Sequence, residues 1–110
     1  LTSEVIEDYK YRDDLVTYLS GFSWYLSFNF GNEYLANKSV CEAIAYSIDT
    51  SAMCDSVLKD GSVALDGFVT KQTAINESGE DYRDVAGKVT LSYDTDQAKE
   101  NMQKHARNLV

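Results

Sequence analysis

The clearest hydrophobic pattern in the chain lies in residues 22–30, where apolar and polar positions alternate. One side of this alternation is apolar and mostly aromatic, and it consists of Phe22, Trp24, Leu26, Phe28 and Phe30. The other side is polar except for Tyr25, which lies between Ser23 and Ser27. Because successive side chains of a β-strand point to opposite faces, the pattern predicts a strand with one strongly apolar face. A shorter run of strand-forming residues, 15–19, precedes it.

Two helices are predicted from N-cap residues in the first half of the chain. Residues 2–10 begin with Thr2 and Ser3, either of which can cap a helix through its hydroxyl group. Asn37 is a second cap, and it precedes a helix that begins near Lys38. The buried stripe of this helix recurs at three- and four-residue spacing and comprises Val40, Ala43, Ile44, Ser47 and Ile48.

Two further helices are predicted, one after Asp49 and one after Asp94. The first is short and is expected to end at Gly61. The second begins with a capping-box pattern formed by Asp94 and Gln97. Its apolar face is composed of Ala98, Met102, His105, Ala106 and Leu109.

Residues 61–92 predict a loop-rich region with one or two short strands, because four glycines separate short apolar pieces. Within it, residues 76–84 are acidic and polar and are expected to form a solvated loop. The predicted fold class is therefore α+β, with a few-stranded sheet and packed helices.

Length and charge narrow the range of functions. The chain has 110 residues, which is the size of one domain. No apolar run approaches the ~18 residues that predict a transmembrane helix. Ten Lys and Arg residues against eighteen Asp and Glu residues give a net charge of −8. Nucleic acid would be repelled by this charge, so a nucleic-acid partner is not expected.

Candidate catalytic and metal-binding patterns are incomplete. Residues 21–25 come near the nucleophile elbow around Ser23, but tyrosine replaces the second glycine. His105 is the only histidine, so it has no partners for a metal site. Cys41 and Cys54 belong to no metal-binding or redox motif and are expected to be unpaired thiols. No cofactor, metal or enzymatic activity is therefore predicted.

The predicted strand has two interpretations. Phe22, Trp24 and Phe28 are expected to pack a sheet against the helix that follows. Tyr25, on the polar side, is equally compatible with packing and with contact to a ligand, because tyrosine combines a rigid apolar ring with a polar group. The exposed backbone of such a strand could also pair with an extended peptide.

The order of motifs resembles a known family. Residues 23–29 read SWYLSFN, residues 37–49 read NKSVCEAIAYSID, residues 57–61 read VLKDG and residues 93–99 read YDTDQAK. This order is similar to the middle of the extracytoplasmic solute-binding proteins of oligopeptide and dipeptide ABC importers, family 5. The chain departs from the family at Cys41 and Thr50, where arginine is usual, and at Thr95, where proline is usual.

The resemblance implies part of a two-lobed, periplasmic-binding-protein-like fold that closes on its ligand. Residues 1–29 would form the end of the first lobe and a strand crossing the hinge. Residues 30–110 would form the N-terminal part of the second lobe. By motif position Tyr25 is the best candidate ligand contact, and Ser23 and Trp24 are weaker candidates.

The function implied is that of a fragment of a protein that captures peptides, without catalysis, for an ABC importer. Its partners would be an oligopeptide and the ABC permease, on the outer side of the membrane, with a lipoprotein anchor in the full-length parent. The ligand stays open, because similar proteins also carry nickel, haem or signalling peptides. The alternatives are a stand-alone interaction module with an exposed aromatic strand, a homodimer of the fragment formed through that strand, and a small hydrolase using Ser23.

Overall fold

The computed structural model describes residues 2–108. Its helices are α1 (Ser3–Tyr9), α2 (Lys38–Ser47), α3 (Thr50–Ala52), α4 (Tyr82–Ala86) and α5 (Thr95–Asn108). A π-helical segment, Met53–Leu58, follows α3 directly. None of the described helices combines the length and apolar character needed to cross a membrane.

Capping side chains begin three of these helices where the sequence predicts. Thr2 Oγ1 accepts a hydrogen bond from the backbone N–H of Val5 at 3.5 Å. Asn37 Oδ1 accepts from the N–H of Ser39 at 2.9 Å. These bonds satisfy backbone donors that have no partner inside the helix, and they confirm the predicted starts of α1 and α2.

The capping box predicted at the start of α5 forms only in part. Asp94 Oδ1 accepts from the N–H groups of Asp96 and Gln97, both at 3.0 Å. The N–H of Asp94 itself donates to the carbonyl of Tyr46 at 2.9 Å, and so joins the start of α5 to the last turn of α2. A tertiary contact therefore takes the place that the Gln97 side chain would fill in a capping box.

The helical region after Asp49 ends earlier than predicted. Its last residue is Leu58, and Lys59 adopts the left-handed conformation with φ of 50°. The N–H of Lys59 donates to the carbonyl of Cys54 at 3.0 Å. The prediction that Gly61 ends the helix was wrong, because Lys59 rather than a glycine supplies the left-handed residue that closes the helix.

A short helix interrupts the region predicted as a solvated loop. Asp81 Oδ1 accepts from the N–H of Arg83 at 2.8 Å and so caps α4. Gly87, with φ of 66°, follows its last residue. The five-residue α4 lies below the length at which hydrophobic periodicity is informative, so the sequence prediction missed it.

The predicted few-stranded sheet is not confirmed. Within residues 2–108, strand-type pairing is limited to one isolated antiparallel bridge between Ile75 and Asp81. Residues 15–19 and 22–30 form no ladder within that range. Alternation indicates which face of a strand would be buried, but the strand itself requires a neighbour whose backbone completes the hydrogen bonds.

The described residues divide into two compact units. The first unit contains residues 2–24 and 50–90, and the second contains residues 25–49 and 91–108. In the first unit Cys54, Gly67 and Thr70 are buried, and the Thr70 and Thr73 hydroxyl oxygens lie 2.6 Å apart. The lobe boundaries inferred from the family resemblance, 1–29 and 30–110, remain a prediction.

The second unit is built on the packing of α2 against α5. Its most buried side chain is Ala43, which is 2% exposed, and Val40 and Ala98 are buried with it. Small residues on both helices allow the two backbones to approach closely. The predicted stripe of α2 is confirmed at Val40 and Ala43, whereas Ser47 is exposed and Ile48 lies beyond the helix.

The buried face of α5 differs from the predicted face. Ala98 is buried as expected, but the next buried residue is Asn101, which is 5% exposed. Asn101 is accommodated because its Nδ2 donates to the carbonyl of Gln97 at 3.0 Å. Met102 and Ala106 are exposed, and Leu109 lies outside the described residues.

Candidate functional site

Ser23 is held by a contact across 45 residues of chain. Its Oγ donates to the backbone carbonyl of Phe68 at 3.1 Å, and the side chain is half-buried. The hydroxyl proton is thus used to join residue 23 to the loop around Phe68. This hydrogen bond fixes the position of residue 23, and with it the backbone that leads into Trp24.

The loop that carries Phe68 is fixed by its neighbours in the first unit. The N–H of Val89 donates to the carbonyl of Asp66 at 2.8 Å. A Cβ atom at Gly67 would lie 2.1 Å from Arg83 Nη1 and 2.9 Å from Val89 Cγ2. Only glycine fits this position without displacing Arg83 or Val89. The sequence prediction did not single out Gly67 or Arg83, because nothing in the local pattern indicates that they meet.

Arg83 fills the space beside Gly67. One of its terminal nitrogens donates to the carbonyl of Gly87, and its guanidinium lies 5.5 Å from the centre of the Tyr82 ring. Its buried Nε has no hydrogen-bond partner among residues 2–108. Arg83 therefore both packs and donates a hydrogen bond at the end of α4. Its side chain occupies the space that a side chain at position 67 would need.

Trp24 is 96% exposed, and Phe22 is also exposed. The alternation of residues 22–30 predicts that both rings pack a sheet against the following helix. The structure does not bear out that expectation within residues 2–108, because no sheet forms there to receive them. Phe28, on the same side of the alternation, is half-buried.

Tyr25 is the first residue of the second unit and is 65% exposed. Ser23 and Trp24 are the last residues of the first unit before the chain passes into the second. The three candidate residues are therefore consecutive in the chain, but they do not all belong to one unit. Their contact with a ligand remains a prediction.

Two acidic side chains at α4, Asp81 and Asp84, are bound by donors of the first unit. Backbone N–H groups of Gln72 and Arg83 donate to the Asp81 carboxylate and hold its pKa below the usual range. Lys71 Nζ lies 2.7 Å from Asp84 Oδ1, and this carboxylate raises the pKa of Lys71.

Residues 2–108 contain no group of three or more His, Cys, Asp or Glu side chains placed to hold a metal ion. Both cysteines are free thiols, and Cys54 is buried whereas Cys41 is half-buried. Cys41 Sγ lies 3.0 Å from the carbonyl of Leu35. The only histidine, His105, is half-buried on α5.

Two comparisons with known proteins place the chain in a family. Residues 2–106 match the model of the bacterial extracellular solute-binding proteins, family 5 middle. The fold is similar to a solved structure of the pheromone receptor PrgZ, described by its mode of peptide binding, with a TM-score of 0.84 and 31% sequence identity. The alignment covers 98% of this chain and 21% of PrgZ, so the chain spans about a fifth of that protein. No curated protein matches the chain.

The family match spans the segments that carry the sequence resemblance, from the SWYLSFN motif to the start of α5. The similarity to PrgZ supports a periplasmic-binding-protein-like fold. The chain belongs to the bacterial extracellular solute-binding proteins of family 5.

Proposed function

We propose that this chain is part of a solute-binding protein that captures peptides for an ABC importer. The observation that carries the proposal is the family match over residues 2–106, joined to 31% identity with a peptide-binding receptor. The protein acts outside the cytoplasmic membrane, without catalysis, and passes its peptide to the permease. A lipoprotein anchor belongs to the same proposal for the full-length parent.

Membership in a longer protein is supported by two facts. The chain aligns with 21% of PrgZ, so most of that structure has no counterpart in these 110 residues. The apolar side of residues 22–30 includes Phe22 and Trp24, which are largely exposed to solvent. In the proposed parent, further segments cover these rings, and one of them pairs with residues 22–30 as a neighbouring strand.

The proposed ligand contacts are Tyr25, with Ser23 and Trp24 beside it. A peptide main chain requires hydrogen-bond donors and acceptors, and rigid aromatic rings give affinity at little entropic cost. Tyr25 offers both and is more than half exposed. The hydroxyl of Ser23 already donates to Phe68, so Ser23 contributes mainly by holding the neighbouring residues in place.

Calorimetry on the full-length parent tests the function. We expect short peptides to bind with one site per molecule, and free amino acids to bind more weakly. Nickel ions and haem are titrated in parallel, because similar proteins carry them. Binding of nickel or haem without any peptide binding would overturn the proposal.

A further inference from the structure

A shallow groove lies on the first unit, between the Ile75–Asp81 bridge and α4. It has a volume of about 220 Å³ and is lined by Ala74, Ile75, Asn76, Glu80, Tyr82 and Val85. Pockets for whole small molecules measure about 300–1,000 Å³. The groove is therefore suited to a single aliphatic side chain rather than to a complete small ligand.

The wall of the groove is held by local hydrogen bonds. Asn76 Oδ1 accepts from the N–H groups of Ser78 and Glu80, at 3.0 and 2.9 Å. Asn76 Nδ2 donates to Glu80 Oε2 at 2.9 Å. The N–H of Tyr82 donates to the carbonyl of Ala74 at 2.9 Å. Because the wall is already ordered, little conformational entropy is lost when a partner binds.

Two of the carboxylates next to the groove already bind groups of the first unit. Asp81 accepts hydrogen bonds from the backbone of Gln72 and Arg83. Asp84 pairs with Lys71 at 2.7 Å. These two carboxylates thus have partners within the first unit.

Glu80 accepts a hydrogen bond from Asn76, but in the described part of the chain neither Glu77 nor Glu80 is neutralised by a cation. Among residues 2–108 no lysine or arginine forms an ion pair with either side chain. Both are exposed, and Glu80 lines the groove while Glu77 lies in the turn beside it. The surface consequently presents an apolar floor, with Ile75 and Val85 more than half exposed, next to two carboxylates that form no ion pair within residues 2–108.

We propose that this groove docks a basic segment of a partner protein in which an aliphatic side chain is flanked by lysine or arginine. The aliphatic side chain occupies the floor formed by Ile75 and Val85, and the cations pair with Glu77 and Glu80. Charge complementarity selects this partner over an acidic or uncharged one. The surface includes none of Ser23, Trp24 and Tyr25, so the inference does not rest on the proposed peptide capture.

The test uses the 110-residue chain labelled with ¹⁵N, at a concentration at which light scattering gives a monomeric mass, and a capped five-residue peptide in which lysine and leucine alternate. We expect amide shifts confined to residues 74–86. The double variant Glu77→Gln and Glu80→Gln should weaken binding about fivefold, because two exposed charge pairs are lost. Glutamine at position 80 keeps an acceptor for Asn76, so the groove retains its shape.

A matched variant, Asp13→Asn with Glu33→Gln, removes two negative charges elsewhere and should bind as the unchanged chain does. Val85→Ser tests the apolar floor and should also weaken binding. The proposal is overturned if a peptide of alternating glutamate and leucine binds equally well. Equal weakening by both charge variants would overturn it too, since attraction would then depend on net charge alone.

Discussion

At the scale of single residues, the position of Trp24 depends on a chain of contacts that begins at Gly67. Gly67 leaves space for Arg83, and the loop next to it presents the Phe68 carbonyl to the Ser23 hydroxyl. The sequence predicted a role for Ser23, Trp24 and Tyr25 but not for Gly67 or Arg83. The residues are distant along the chain, and no local rule relates them.

Gly67→Ala should destabilise the protein by about 1–3 kcal/mol, because the new Cβ would overlap Arg83 and Val89. Urea unfolding measures the loss. In the double variant Gly67→Ala with Arg83→Ala, the combined effect should be smaller than the sum of the two single effects.

Gly61→Ala is the matched control for Gly67→Ala. At Gly61 φ is +86° and no atom of residues 2–108 lies within 4 Å of an added Cβ, so its cost is that of the backbone conformation alone, about 1–2 kcal/mol. If Gly67→Ala and Arg83→Ala prove additive, the proposed contact between the two positions is wrong.

Tyr25→Ala in the full-length parent should weaken peptide binding several-fold, because it removes a rigid, partly polar contact surface. Calorimetry with the best-binding short peptide measures the effect. Tyr11→Ala removes another highly exposed tyrosine and should leave the dissociation constant unchanged. Identical constants for Tyr25→Ala and the unaltered protein would rule out the contact.

At the scale of elements, the α2–α5 pair illustrates what periodicity can and cannot predict. Both helices begin at the predicted caps, Asn37 and Asp94. The face that α5 buries runs through Ala98 and Asn101 rather than through Met102 and Ala106. Hydrophobicity alone would favour burial of Met102, but packing of two helices favours the small side chain of Ala98. Asn101 can be buried because its side-chain amide donates to the Gln97 carbonyl.

Ala98→Leu should cost about 1–3 kcal/mol in the free energy of unfolding, because three added carbons must fit where α2 and α5 touch. Ala106→Leu is the matched change on the exposed side of the same helix and should alter stability by at most about 0.5 kcal/mol. Thermal unfolding followed by circular dichroism distinguishes the two. A larger loss for Ala106→Leu would mean that the predicted face, and not the observed one, is buried.

At the scale of the whole molecule, the described chain exposes more large apolar side chains than its core encloses. Among residues 2–108 the buried hydrophobic residues are Val40, Ala43, Cys54 and Ala98, three of them small. Phe22 and Trp24 are exposed in the segment that most clearly predicts a strand. Large exposed apolar patches mark interfaces. The proposed longer parent accounts for these exposed rings, because its further segments would cover them.

The isolated 110-residue chain should therefore self-associate as its concentration rises, despite the repulsion that a net charge of −8 provides. Light scattering coupled to size exclusion measures the mass. Phe22→Ser with Trp24→Ser should shift association to higher concentration, whereas Tyr11→Ser should not. A monomeric mass at every concentration would show that residues 22–30 do not act as an interface in the isolated chain.

The sequence by itself determined the starts of α1, α2 and α5, and the family. A cap such as Asn37 acts on a donor two residues away, and the SWYLSFN and NKSVCEAIAYSID motifs are contiguous, so both can be recognised locally. The tertiary structure alone decided that Ser23 binds Phe68, that Gly67 accommodates Arg83 and that Asn101 is buried. Each of these depends on elements distant in sequence. Within residues 2–108 the segment 22–30 forms no strand ladder, because a ladder needs a neighbouring strand that local alternation cannot specify.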